Sequence, residues 1–205
     1  VIPFGFKLLA SGTKDFSSES RLYSNFYFQS SGQVAVLPSM FLRPVEDVFK
    51  SLWLGSPNGI NFYENINEAI NDTSDYIYAN TPGTYYYETK LTSTEDVGPS
   101  GEHIARYAFK AANYNASGKW NLAVTLFMGD SGIITWNHYQ VPAAWVSGIQ
   151  ELSNSDIAKL TDYTDLRYRF EASTSGVLGF GDVLFVSWAE LEVPSGTVGK
   201  SHIDI

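Results

Sequence analysis

Residues 120–129 read WNLAVTLFMG, and the alternation within this stretch decides the fold class. Trp120, Leu122, Val124, Leu126 and Met128 fall on one side of an extended chain, with Asn121, Ala123, Thr125 and Phe127 on the other. A period of two is the pattern of a strand with one buried face. Asp130-Ser131-Gly132 then supplies a turn, and IITWNH over 133–138 reads as the returning arm of a hairpin.

The same period recurs outward in both directions. Leu166, Tyr168 and Phe170 alternate with Arg167, Arg169 and Glu171, a strand with one dry and one wet face. Each of the three apolar side chains contributes about 1.5–3 kcal/mol when buried. A slip of one residue would bury two arginines and a glutamate instead, so the register is firmly set. Residues 103–110 place Ala105, Tyr107 and Phe109 on one face, while 183–193 are apolar on both sides through Trp188 and amphipathic at Glu190 and Glu192, until Pro194 ends the run. TYYYETKLT at 84–92 is rich in strand formers, residues 76–78 alternate, and 146–152 reads as another short strand. Ser153 with Asp156 three positions on is a capping pattern for a helical turn over 154–160. Short strands at near-regular spacing with a single helical turn predict an all-β protein, an antiparallel β-sandwich with jelly-roll-like closure.

The first 50 residues are less regular. A hairpin of 25–29 with 33–37 about Ser30-Ser31-Gly32 is expected, and Val45, Val48, Phe49 and Leu52 have one-sided helical spacing, suggesting a short helix or a connector. The expected organisation is therefore an irregular N-terminal arm over 1–52, the sandwich over 53–194 and a C-terminal extension over 195–205. The apolar opening VIPFGFKLLA is interrupted by Pro3 and Gly5 and lacks a basic leader, so it reads as an arm or first strand rather than a signal peptide.

Composition narrows the chemistry. Among 205 residues there is no cysteine, which excludes disulfides, thiolate metal sites and a thiol nucleophile. Thirteen Lys and Arg against 22 Asp and Glu give a formal charge of −9, a poor footprint for nucleic acid. No window approaches 18 apolar residues, so no membrane-spanning helix is expected. His103, His138 and His202 lie in no metal-ligand spacing, and neither a G-x-S-x-G elbow nor a phosphate-binding glycine loop occurs. No catalytic, cofactor-binding or metal-ligating residues are expected, and the chain reads as a non-enzyme. Paired carboxylates are the remaining option, since a glycosidase needs only two. The candidate pairs are Asp162 with Asp165, Asp72 with Asp75, and Glu190 with Glu192; the first reads as turn caps and the last as the wet side of a strand end. The aromatic excess, 15% of residues, leaves Trp53, Tyr85, Tyr86, Tyr87, Trp136 and Trp145 as the candidate interface or ligand platform. Of three consecutive tyrosines in a strand, at least one faces away from the other two.

LTDYTDLRYRFEA at 160–172 and SWAELEVP at 187–194, with 63–77, Arg106-Tyr107, 122–129 and 152–167 in matching order, resemble small proteins and domains encoded in tailed-bacteriophage structural gene clusters. The likeness spans roughly 53–194. It implies a jelly-roll-like virion part, assembled in the host cytoplasm, and brings no catalytic signature. The leading expectation from it is a capsid cement or decoration protein, with the major capsid protein and further copies of itself, as a trimer, for partners. The alternative is a carbohydrate-binding module of a tail or fibre, with a host glycan as ligand.

Overall fold

A computed structural model describes residues 39–81, 84–95, 97, 101–112, 118–179 and 181–195. The chain divides into units Val1–Leu37 and Pro38–Ile205, and the described residues belong to the second. The hairpin expected at 25–37 and the extension beyond 195 lie outside them.

Eleven strands are present among the described residues: β1 (Ser39–Leu42), β2 (Pro44–Lys50), β3 (Trp53–Ser56), β4 (Tyr76–Ala79), β5 (Tyr85–Leu91), β6 (Ile104–Ala112), β7 (Lys119–Met128), β8 (Ser131–His138), β9 (Val146–Glu151), β10 (Leu166–Ser175) and β11 (Val183–Pro194). A 3₁₀ turn spans Phe62–Asn65, and helix α1 spans Asn154–Ile157. The antiparallel pairs β7 with β8, β6 with β9, β5 with β10 and β4 with β11 are nested. They are the two halves of one long hairpin rolled over two sheets, which is how a jelly roll closes. One sheet runs β3-β4-β11-β6-β9, with β1 also paired to β11, and the other runs β2-β5-β10-β7-β8.

Alternation places the core as the sequence predicts. Leu122, Val124, Leu126, Leu166, Tyr168 and Phe170 are buried, and Phe170 pairs with both Val124 and Tyr87 across neighbouring strands. Ser153 caps α1, its hydroxyl accepting from the Asp156 amide at 3.2 Å.

Two expectations about the N-terminal stretch are corrected. Residues 44–50, expected as a helix or connector, form a strand, because β2 finds backbone partners along β5 that a short isolated helix would lack. The arm does not extend to residue 52. β1 continues the sheet beside the C-terminal half of β11, and β2 forms an edge of the other sheet, so both belong to the sandwich.

Asp47 ties this added edge to the body. Its carboxylate accepts from the amides of Phe62 and Tyr63, each at 2.9 Å, from the Tyr87 hydroxyl at 2.5 Å and from the Lys50 ammonium at 2.9 Å. Burial alone would raise its pKa, but Lys50, Tyr87 and the two amides outweigh it and hold the carboxyl below its ordinary value. Asp47→Ala strands the Tyr87 hydroxyl and is expected to lower the unfolding free energy by about 2–4 kcal/mol. Urea denaturation measures the loss, and a change within experimental error would show that the four bonds contribute nothing net.

Candidate functional site

The solvent face of the six-stranded sheet carries a cluster of rings. On β11, Leu184 and Val186 point inward, so Phe185 points out; on β6, Phe109 and Ala111 point inward, so Lys110 points out beside it. Register continues the row, with Phe185 opposite Tyr78 and Tyr78 opposite the exposed Leu54. Tyr76 meets Phe185 edge to face, with centroids 5.0 Å apart and planes at 89°, and meets Tyr78 at 6.0 Å and 68°. Trp145, just before β9, lies 6.4 Å from Phe185. The Lys110 ammonium sits 4.8 Å from the Trp145 ring and 5.0 Å from the Phe185 ring. Edge-to-face contacts cover one ring with the rim of another and do not close the cluster as parallel stacking would.

The opposite sheet has a stack of a different kind. Phe49 and Tyr86 lie parallel, 4.5 Å apart and 20° off plane, and the Arg169 guanidinium sits 4.5 Å from Tyr86 and 4.4 Å from Phe127. Glu88, buried beneath, holds Arg169 at 2.8 Å and Arg167 at 3.1 Å, and Arg167 also holds Asp165 at 3.0 Å. These planar groups cover one another and their charges are paired. The stack is a brace across β2, β5, β10 and β7, with Tyr86 and Arg169 spent on internal contacts.

The six aromatic residues singled out from sequence separate accordingly. Trp53 and Tyr87 are not platforms: both are buried, because β3 and β5 turn these positions to the interior, where they pack on each other and around Phe62 and Phe170. Tyr85 and Trp136 are partly buried against the core. Tyr86 is the tyrosine of the run that faces away, into the stack. Trp145 alone of the six joins the open cluster. Tyr76, Tyr78, Phe185 and Lys110 were missed; the alternation of 76–78 and 183–187 carries them, but their convergence depends on strand order.

The carboxylates are structural. Asp162 accepts from the Thr164 amide and hydroxyl, at 2.8 and 2.6 Å, and Asp72 from the Ser74 amide at 2.8 Å, as turn caps do. Asp165 differs from that reading, since it pairs with Arg167. Glu190 is also a correction: it points outward yet is buried, because Arg43 at 2.9 Å and Arg106 at 3.7 Å close over it, and Arg106 reaches Glu192 as well. Burial outweighs the arginines and keeps the Glu190 carboxyl above its ordinary value. Glu68, which sequence reading passed over, is pushed up to about 7 by burial, with Asp75 and Asp72 adding repulsion. Among the described residues no group of three His, Asp or Glu could hold a metal ion.

His103 and His138 lie inside hydrogen-bonded pairs. His103 Nε2 meets the Tyr163 hydroxyl at 2.7 Å with Nδ1 3.3 Å from the Gly101 carbonyl, and His138 Nε2 meets the Tyr107 hydroxyl at 2.8 Å. Burial lowers both pKa values, only partly opposed at His103 by the Gly101 carbonyl.

No family model and no curated protein sequence matches this chain. Solved structures do. A carbohydrate binding module, CBM6cm-2 from Cellvibrio mixtus lichenase 5A in complex with cellotriose, is similar at TM-score 0.35 and 11% identity, over 75% of this chain and 96% of that one. A cyclase from Fischerella sp. TAU gives 0.41 and 11%, over 78% and 75%. The enzymatically active domain of bacteriophage CBA120 tailspike protein 4 gives 0.37 and 6%, over 75% of this chain and 19% of that one. Values this low say nothing of ligand or chemistry.

Two outcomes follow from the placements above. Trp53→Ala is expected to cost about 3–5 kcal/mol of stability and Trp145→Ala under about 1 kcal/mol, by urea denaturation; equal losses would contradict their assignment to core and surface. Because both folded histidine pKa values lie below the ordinary 6.5, the unfolded chain binds protons first as pH falls. The histidine contribution to stability is therefore fullest above about pH 6.5 and is lost as pH falls from there through the folded values, while Glu68, raised to about 7, acts in the opposite sense; urea denaturation across pH of the unaltered chain against the double variant His103→Gln with His138→Gln isolates the histidine part.

Proposed function

We propose that this chain is a non-enzymatic carbohydrate-binding β-sandwich, and that its sequence resemblance to tailed-phage structural proteins fits a tail or fibre part that meets the host surface. The observation that carries the proposal is the open ring cluster of Tyr76, Tyr78, Phe185 and Trp145 on a solvent-facing sheet. A pyranose has apolar C–H faces and a polar rim, so rings on a wet surface can cover the first while leaving the second hydrated. The cluster runs from β4 to the start of β9, three interstrand spacings or about 14 Å, a length suited to a short oligosaccharide. Its residues come from regular strands and one adjoining loop, which hold the rings in place before ligand arrives.

The test is a glycan array bearing bacterial surface polysaccharides, followed by calorimetry on the saccharides bound. Phe185→Ala and Trp145→Ala are each expected to weaken binding about tenfold or more with the fold intact, as for central aromatic anchors. Absence of binding to any glycan, together with reconstructed particles showing the chain on the capsid shell, would replace this reading with the capsid cement or decoration role.

A further inference from the structure

The ring cluster contains a cation. Arg43, Lys50, Arg106, Lys159, Arg167 and Arg169 each hold a carboxylate within 4 Å, whereas Lys90, Lys110 and Lys119 have no ion pair among the described residues. Of these three, Lys110 is the one set against rings, those of Trp145 and Phe185. A lysine against two rings is held by a cation–π attraction, and its aliphatic stem is covered by the same apolar surface. Unlike a carboxylate, the rings leave the net positive charge unneutralised. The nearest arginine on the same strand and face, Arg106, is consumed by Glu190 and Glu192.

The charge sits at one end of the row. Tyr76 and Tyr78 on β4 form one end of the cluster, and Lys110 on β6 with Trp145 before β9 forms the other. A ligand lying along the row thus meets the Lys110 ammonium at the β6 end.

Resting on the carbohydrate-binding reading, we infer that the saccharide bound is acidic, carrying a carboxylate on the unit stacked at Trp145, where the Lys110 ammonium pairs with it. A neutral saccharide would bury that ammonium without replacing its water, a cost that a carboxylate removes by a charge-assisted hydrogen bond.

Calorimetry on the full chain tests this with hyaluronan oligosaccharides, which alternate acidic and neutral units, with oligogalacturonate, which is acidic throughout, and with the carboxyl-reduced form of each. The expected result is that each acidic oligosaccharide binds about tenfold or more tightly than its carboxyl-reduced form, as one charge-assisted pair allows. Lys110→Met should bring the acidic-to-reduced ratio near one, and Lys110→Arg should keep the preference. Equal binding of acidic and reduced forms by the unaltered chain, or a preference that survives Lys110→Met, overturns the acidic assignment and leaves the carbohydrate reading standing. Failure to bind any of the four, or any glycan on the array, overturns both.

Discussion

Four tyrosines buried in this sandwich each carry a hydroxyl that must find a partner away from water. Tyr168, on a central strand of one sheet, donates to the Glu190 carbonyl on the central strand of the other, at 3.2 Å. Tyr107 meets His138 across the sheets, Tyr87 meets Asp47, and Tyr163 meets His103. An unmet hydroxyl costs about 1–3 kcal/mol in such an interior, whereas apolar contacts alone tolerate sliding. The Tyr168 and Tyr107 hydroxyls therefore fix where one sheet sits over the other, and those of Tyr87 and Tyr163 tie an edge strand and a loop to the body. They also account for His103 and His138 lying beside buried tyrosines.

Once the inward set is fixed, the outward set has no freedom. Phe185 takes the outer face, half-buried, because Leu184 and Val186 turn inward, and Lys110 does so because Phe109 and Ala111 turn inward. The two outer faces then diverge through the contacts their residues make. On the five-stranded sheet, a carboxylate lies under two arginines and the Tyr86 and Phe127 rings flank one guanidinium, so the charges are paired. On the six-stranded sheet, the rings meet edge to face or tilted, and the lysine among them has no carboxylate partner among the described residues. That difference separates a brace from a surface with recognition capacity left over.

Much of the fold can be read from the chain because alternation is a local property. Residues 120–138 and 166–171 specify strand, face and turn within a few positions, and Ser153 specifies its helical turn by a single hydrogen bond. The N-terminal edge was harder to read. Val45, Val48, Phe49 and Leu52 have helical spacing, and only the unpaired backbone of β5, forty residues downstream, makes the segment a strand. Glu190 shows the same limit at a side chain: it occupies the wet position that alternation predicts, yet Arg43 and Arg106, from two other strands, bury it.

The sequence by itself determined the all-β class, the inward residues of the long strands and the absence of cysteine, because each depends on composition or on neighbours one or two residues away. Which aromatics face a partner was decided by the tertiary structure. Trp53 and Trp145 look alike in sequence, but one fills the space between the sheets and the other lies beside Lys110 and Phe185. The residues of the open cluster come from β4, β6, β11 and the segment before β9, brought together by nested pairing over more than a hundred residues. Local periodicity sets which side of a strand a ring takes, and only long-range strand order sets which rings share that side.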